Sequence, residues 1–415
     1  MVRSVPNSQP EEMLLVRGAR QLITMRGADG PKRGAALEEI GILSDGALLI
    51  RAGRIVEAGP TRRVENVKAA RHAREINAAG RVITPGFVDC RAHIVLPHPP
   101  LDPSAAGPDH ASAEFWHGVR EIRSTPARRL ELRAQNVAAG MTRHGTTTAG
   151  ALSGYGLDRS GELKILRVLA RVGEKPLRAI PIFFGARLAP IDRQMDSAGY
   201  LTWVGLTLLP GIARRKLARF VEVNCGADGF PLDAARIYLE NARRLGFGLN
   251  IDAGDRLEAV RMAAEVGASR VALGAVDAET CDMLARSSTV AALEPASAGD
   301  RQSARRLIDA GAAVAIASDF GSGKNRTYNM QMVMSLACSE LEMSPAEALC
   351  AATINGAYAL GLSEEIGSLL PGKRADLVMF DAQDYREISY HFGINHVHMV
   401  MKDGAAIYQE GGRGL

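Results

Sequence analysis

The chain has 415 residues, of which 47% are hydrophobic, and its formal net charge is +4. This composition excludes wholesale disorder and supplies a core large enough for a barrel of about 250 residues with a smaller second domain. Basic residues are dispersed and accompany no nucleic-acid-binding motif, so we expect no nucleic-acid partner. The cysteines form no C-x-x-C pair, the N-terminal segment has no signal-peptide core, and no apolar run approaches the roughly 18 residues of a membrane span. We therefore expect a cytoplasmic protein without a membrane partner.

Short strands with alternating apolar and polar residues are predicted at both ends of the chain. The pattern occupies residues 47–59, 367–382 and 397–411. In the first of these segments, two short strand-like runs flank Ala52-Gly53-Arg54. Because strands at both ends flank a middle with a different pattern, we predict one small β-sandwich-like domain formed by residues 1–82 and 366–415.

The middle of the chain, residues 83–365, alternates apolar strand candidates with helical stretches. The eight strand candidates are residues 82–90, 145–152, 177–186, 218–226, 246–254, 270–276, 289–296 and 312–320. Intervening segments such as residues 231–246 have helical apolar spacing and end in glycine. Eight strands alternating with helices predict an α/β fold, a (β/α)8 barrel of the TIM type. Barrels of this type place their chemistry at the C-terminal ends of the strands.

Several segments carry a resemblance to a known family. They are ITPGFVDCRAH (83–93), SGYGLDRSGELKILRV (153–168), ASDFGSG (317–323) and the closing stretches at 328–361 and 367–395. The first is similar to a Pro-Gly-x-Val-Asp-x-His-x-His strand, and the second to a Ser-Gly-Tyr-Gly-Leu segment with its following helix. With these motifs the chain resembles the amidohydrolase superfamily and, within it, the imidazolonepropionases, which open a five-membered cyclic amide. The match covers nearly the whole chain.

The resemblance implies a set of metal-ligand positions. The family uses one divalent metal, usually zinc or iron, which acidifies a bound water for attack on the amide carbon. Its ligands are both histidines of His-x-His, a histidine ending strand five and an aspartate ending strand eight. In this chain the first two positions are Arg91 and His93, the third is Asp252, and the fourth is Asp319. Two of the four ligands are therefore replaced.

The resemblance also implies substrate-side positions, and most of them are altered. Arg187 stands at a strand-three histidine, and Asp255 stands at a glutamate three residues past the strand-five ligand. Leu273, preceded by Ala272, stands at a strand-six histidine, whereas Tyr155 of the substrate pocket is kept. By resemblance we assign catalytic roles to Asp319, Asp255 and His93, and substrate binding to Tyr155, Arg187 and Arg91.

Arg91 favours a metal-free site. A guanidinium has five donors, keeps its charge and can fork onto carboxylates. Strand alternation sends Arg91 and His93 to the same inward side, so we predict that Arg91 pairs with Asp252, Asp319 or both. The alternative is one divalent metal, zinc or iron, on His93, Asp252 and Asp319. Loop histidines after the first barrel strand would then offer a replacement ligand, namely His98, His110 and His117.

Two functions follow from these residues. The first is an imidazolonepropionase-like protein that has lost its metal and its hydrolysis of imidazolonepropionate but keeps a pocket for a small-molecule ligand. Arg187 and Arg91 favour an anionic ligand, such as a small carboxylate. The alternative is an active hydrolase of cyclic-amide C–N bonds with a rebuilt site, either metal-free or metal-bound. The resemblance further implies a homodimer.

Overall fold

The strands of the chain fall into two sheets. The computed structural model describes residues 13–27, 30–99, 113–173, 175–190, 195–297, 301–322 and 325–411. The strands are β1 Met13–Ile23, β2 Ile42–Arg51, β3 Arg54–Pro60, β4 Arg74–Asn77, β5 Val82–Pro85, β6 Phe87–Ala92, β7 Thr146–Leu152, β8 Arg178–Ala186, β9 Phe220–Asn224, β10 Gly248–Gly254, β11 Arg270–Leu273, β12 Val290–Leu293, β13 Val314–Ile316, β14 Leu377–Phe380, β15 Val397–Lys402 and β16 Ala405–Gln409.

Helices follow most of the barrel strands. The α-helices are α1 Thr61–Glu65, α2 Ala113–Ser124, α3 Ala127–Arg143, α4 Arg159–Val172, α5 Ser197–Trp203, α6 Leu209–Arg214, α7 Leu232–Arg244, α8 Leu257–Glu265, α9 Ala278–Arg286, α10 Ser303–Asp309, α11 Met330–Glu340, α12 Pro345–Ala351, α13 Ile354–Ala359 and α14 Glu387–Tyr390. A π-helical turn, Val204–Leu208, joins α5 to α6. No helix in the described ranges is long and apolar enough to cross a membrane.

Local sequence signals set several of these boundaries. Helix α7 lies within the predicted helical segment 231–246, and the chain leaves it through Gly246, which has φ of 87°. At the start of α9, Asp277 and Thr280 form a capping box, in which each side chain binds the backbone N–H of the other. Such caps satisfy N–H groups that have no partner inside the helix, so the helix begins at a fixed residue.

Eight parallel strands form the barrel, in the order β6 to β13. Beyond the paired strands, backbone bonds join its two ends: Asp319 N–H donates to Arg91 O at 3.0 Å, and His93 N–H donates to Phe320 O at 2.8 Å. The buried carboxylate of Asp89 adds a contact there by accepting from Ser318 N–H at 3.1 Å. The predicted (β/α)8 barrel is confirmed.

Strands from both termini form the second sheet, as predicted. Its order is β16-β15-β14-β5-β1-β2-β3, and β4 pairs with β1. The two strand-like runs predicted in residues 47–59 are the adjoining parts of β2 and β3, which form a hairpin through Ala52 and Gly53 with φ of 50° and 75°. Two consecutive positive φ values are typical of a tight hairpin turn that matches strand twist. The sheet packs against the barrel, with Phe380 of β14 5.8 Å from Phe87 of β6 between ring centroids.

The first predicted barrel strand, residues 82–90, is wrong as a single element. It consists of β5, which pairs with β1 and β14 in the terminal sheet, and β6, which pairs with β7 in the barrel. Gly86 separates them, and a Cβ there would lie 2.2 Å from Thr147 Oγ1, so only glycine fits this crossing. The predicted division of the chain at residues 82 and 365 stays a prediction.

Candidate functional site

A cavity of about 610 Å³ opens at the C-terminal ends of the barrel strands. Its charged and aromatic lining includes Arg91, His93, Phe184, Arg187, Asp252, Asp255, Glu294 and Asp319. Parallel strands all end at this face of the barrel, so residues far apart in the chain meet here. The cavity therefore brings together nearly all of the site residues predicted from the sequence.

Arg91 occupies the centre of an ionic cluster. Its side chain is only 4% exposed and bonds carboxylates on four elements of the barrel. The contacts are Nε to Glu222 Oε1 at 2.8 Å, Nη2 to Asp252 Oδ2 at 2.6 Å, Nη1 to Glu294 Oε1 at 2.8 Å, and a short bond from Nη1 to Asp319. Although burial alone lowers the pKa of Arg91, these carboxylates together raise it well above the ordinary value. The predicted inward orientation and the pairing with both aspartates are confirmed.

A second arginine supports the cluster from below. Arg270, the first residue of β11, bonds Glu222 of β9 through Nη2, and both side chains are fully buried. Strands β9, β10 and β11 pair in register, so these two positions lie in one layer of the barrel. Glu222 therefore bridges Arg91 and Arg270. These linked ion pairs hold the Arg91 guanidinium at a fixed level along the barrel axis.

The carboxylates outnumber the arginines in this cluster, and burial makes their charge costly. Burial, with the nearby Asp319, raises the pKa of Glu294 to about 8, so this carboxyl holds a proton at neutral pH in the folded protein. Burial also raises the pKa of Asp319. Asp319 adopts φ of 45°, an uncommon left-handed conformation for a non-glycine residue, where the chain turns out of the barrel.

Arg187 forms a second cationic wall of the cavity. It follows β8, is 2% exposed, and lies with its guanidinium carbon 4.6 Å from the Tyr155 ring centroid and 4.8 Å from that of Phe115. Its Nη2 donates to Ser322 O at 3.1 Å. Tyr155 is itself fixed, because its hydroxyl donates to Gly321 O at 2.7 Å. Stacking on two rings holds the guanidinium plane in one orientation.

The remaining predicted residues differ in their exposure. His93 is 1% exposed, and its ring lies edge-on to Tyr155 with centroids 5.2 Å apart. Asp255 is exposed at the cavity rim, whereas Leu273 is buried in β11. Of the predicted loop histidines, His117 lies in helix α2 and not in the loop, whereas His98 follows β6 and pairs with Glu121 at 2.8 Å. Both are exposed and absent from the cavity lining. The third loop histidine, at position 110, lies outside the described residues.

Sequence reasoning missed three members of the cluster: Glu222, Arg270 and Glu294. A signal was present, because Glu222 interrupts the apolar strand FVEVN and Glu294 directly follows the apolar strand VAAL. A charged residue inside a buried strand requires a partner of opposite charge, since burying a bare charge is costly. The missed carboxylates could therefore have been matched with Arg91 and Arg270.

Comparisons with known proteins agree with this architecture. The family model that is described as "Amidohydrolase family" matches residues 236–407 of this chain. The chain is 33% identical over 423 residues to the imidazolonepropionase of Alkaliphilus metalliredigens (strain QYMF), covering 96% of this chain and 98% of that protein. It is 36% identical to the imidazolonepropionase of Symbiobacterium thermophilum, covering 97% of this chain and 99% of that one.

A solved structure shows the same fold at lower identity. The ochratoxinase of A. niger superposes with a TM-score of 0.71 at 15% identity, covering 97% of each chain. This likeness concerns the fold alone, whereas the two relatives match nearly their whole length at 33% and 36% identity. The chain therefore belongs to the amidohydrolase family, among its imidazolonepropionase-like members.

Proposed function

We propose that this chain is an imidazolonepropionase-like protein whose barrel mouth holds no divalent metal, that it no longer hydrolyses imidazolonepropionate, and that it keeps a small-ligand pocket. One observation carries the proposal: the guanidinium of Arg91 bonds four carboxylates at the place where the family's ligand positions converge. The guanidinium then neutralises the carboxylates as a metal ion would, but it does not supply the chemistry of a metal.

The residues do not fit a divalent ion in this arrangement. Asp252 and Asp319 each direct an oxygen to Arg91, and a dication near that guanidinium would be repelled. Among the described residues, the group of three potential ligand atoms lying within 4.8 Å of one another is Asp381, His398 and Glu410 of the terminal sheet. The barrel mouth of the described chain offers no such group, and Asp381 already pairs with Arg81 at 2.6 Å.

Loss of hydrolysis follows from the same residues. In this family the metal makes hydroxide available at neutral pH, and a guanidinium cannot do so because it offers no empty coordination position. Leu273 puts an apolar side chain where the resemblance places a histidine, which removes a group able to carry a proton. Asp255, one methylene shorter than the glutamate that the resemblance places there, lies exposed at the cavity rim.

A cavity nevertheless persists above the cluster. Its volume of about 610 Å³ lies within the range of small-molecule sites, and its walls combine the rings of Phe184 and His93 with charged side chains. The buried ion pairs hold the side chains at the base of the cavity in place, so a ligand would bind to a preformed surface. We therefore expect binding without turnover.

Elemental analysis joined to an activity assay tests the proposal. The protein is purified without chelators beside the imidazolonepropionase of Alkaliphilus metalliredigens as a positive control, and zinc and iron are measured in both. We expect less than about 0.1 metal per chain and no turnover of imidazolonepropionate, against about one metal per chain in the control. About one zinc or iron per chain, lost in His93→Ala, would contradict the metal-free site. Turnover abolished by Asp319→Ala would contradict the loss of hydrolysis and favour a rebuilt hydrolase.

A further inference from the structure

Arg187 is a buried cation with an unused donor. Its Nη2 is bonded and its ring contacts are made, but its Nη1 has no hydrogen-bond partner among the residues that the structure describes. Leaving a buried donor unbonded is destabilising, and more so when the group is charged. Arg187 lines the cavity and its Nη1 is buried in the cavity wall, so a ligand in the cavity would lie close to the unbonded donor.

Arg91 is less available to the same ligand. Four of its five N–H groups donate to carboxylates, and only one N–H of Nη2 is left within the described chain. Arg187 therefore supplies the anion-binding donor of the cavity. Its stacking on Tyr155 and Phe115 fixes the guanidinium plane, and a fixed plane suits the two oxygens of a carboxylate.

The rest of the cavity has the opposite charge. Five carboxyl groups line it against three arginines, and because Glu294 is protonated, four carboxylates leave a net charge of −1. Asp252 at the end of β10 is 26% exposed on its side chain and uses one oxygen for Arg91. Asp255 lies three residues further along the same chain segment, at the rim. A ligand with only a negative charge would satisfy Arg187 but would be repelled by this wall.

We infer that the cavity binds a small zwitterion, with its carboxylate on Arg187 and its basic nitrogen facing Asp252 and Asp255. The inference rests on the proposed function, because a bound metal would compete for Asp252. It replaces the simple anion expected from the arginines alone with a ligand that carries both charges. Each charge-assisted contact adds roughly 1.5–3 kcal/mol, which corresponds to about a tenfold or greater change in affinity per contact.

Calorimetric titration with matched probes tests the inference. The zwitterions are 3-aminopropanoate, 4-aminobutanoate and 5-aminopentanoate, which vary the distance between the two charges. Butanoate carries only the anion, and butylamine carries only the cation. We expect one of the zwitterions to bind at least about tenfold more tightly than both single-charge probes. Equal affinity for butanoate, or tighter binding of butylamine, would overturn the zwitterion assignment.

Variants locate the two ends of the ligand. Arg187→Gln should weaken the preferred zwitterion at least about tenfold, and Arg187→Lys, which keeps the charge but loses the planar fork, should weaken it less. Asp255→Asn, at an exposed position, should reduce the preference for the zwitterion over butanoate. The exposed Arg171, which pairs with Glu131 on the barrel exterior, provides Arg171→Gln as the matched control with unchanged affinity. Unchanged binding in folded Arg187→Lys and Arg187→Gln would overturn the assignment of the anion end.

Metal content measured on the same samples separates this inference from the proposed function. A metal-free protein that binds none of the probes would overturn the ligand class while leaving the metal-free site intact. A protein with about one metal per chain that still binds a zwitterion through Arg187 would overturn the metal-free site and support the anion end at Arg187.

Discussion

Arg91→Met is the substitution that most directly measures what holds the barrel mouth together. Methionine keeps an unbranched apolar stem and has no charge, so it removes the guanidinium while still filling the space of the stem. Four carboxylates lose their common partner, and of the two arginines in the cluster only Arg270 remains, bonded to Glu222. Removing one member of a buried ion pair typically costs about 3–5 kcal/mol because the other member is left uncompensated.

Protonation limits this cost and makes it depend on pH. A stranded carboxylate can take up a proton, which at neutral pH costs about 1.4 kcal/mol for each unit between its ordinary pKa and the pH. This free-energy cost of protonation decreases as the pH falls, so Arg91→Met should be most destabilising at pH 8 and less so at pH 5. For 415 residues the entropy of unfolding is about 0.9 kcal/mol per kelvin. The loss at pH 8 therefore corresponds to a Tm lower by about 3–6 °C.

Thermal unfolding followed by circular dichroism at pH 5 and pH 8 measures the effect. Arg171→Met is the control, because Arg171 is 59% exposed and its pair with Glu131 is solvated, so its Tm should change by less than about 1 °C. An Arg91→Met protein as stable as the wild type at pH 8, or one destabilised more at pH 5 than at pH 8, would refute the reasoning.

Three further substitutions probe the same structure. Glu294 has a raised pKa in the folded protein. The stability that its protonation contributes is fully present below the unfolded pKa and is lost as pH rises through about 8. In denaturant titrations, the free energy of unfolding of Glu294→Gln relative to the wild type should therefore increase by up to about 1.4 kcal/mol per pH unit between about pH 5 and 8. A pH-independent difference would contradict this. Arg270→Met leaves Glu222 with Arg91 as its one cationic partner and should cost up to about 3–5 kcal/mol in the same titrations; a loss below about 1 kcal/mol would count against the buried bridge. Tyr155→Phe removes the bond to Gly321 but keeps the ring, so calorimetric unfolding should show a loss of about 1 kcal/mol, and no loss would mean that the hydroxyl is better solvated than bonded.

Much of the fold could be predicted because its signals are local. Alternating strands, glycine-ended helices and the Ala52-Gly53 turn all appear within short windows of sequence, and the structure has them where expected. The failure at residues 82–90 has a different origin. The apolar pattern continues across Gly86, but the chain changes sheets there, and periodicity records burial without recording which sheet buries the residue.

The site was predictable where strand alternation applies and obscure where partners come from distant strands. Alternation was sufficient to direct Arg91 inward, and strand ends were sufficient to bring Asp252 and Asp319 to it. The aromatic support of Arg187 was hidden, because Phe115 belongs to α2, which follows a long loop. Neither spacing nor composition determines how such a helix lies on the barrel.

The charge balance at the barrel mouth leads to a last prediction, on how a metal site could return. Arg91→His removes the repelling cation, leaves Asp252, Asp319 and Glu294 without their partner, and adds an imidazole beside His93. Several unpaired carboxylates next to two imidazole nitrogens are suitable ligands for zinc. The variant should therefore bind about one zinc per chain and be stabilised by it, whereas the wild type should not. Arg91→Met has the same excess carboxylate but one imidazole fewer and should bind zinc more weakly, which separates ligation from simple charge. Equilibrium dialysis with elemental analysis measures both, and thermal unfolding with and without zinc measures the stabilisation. If the wild type binds zinc as tightly as Arg91→His, the guanidinium of Arg91 is not what keeps a metal out.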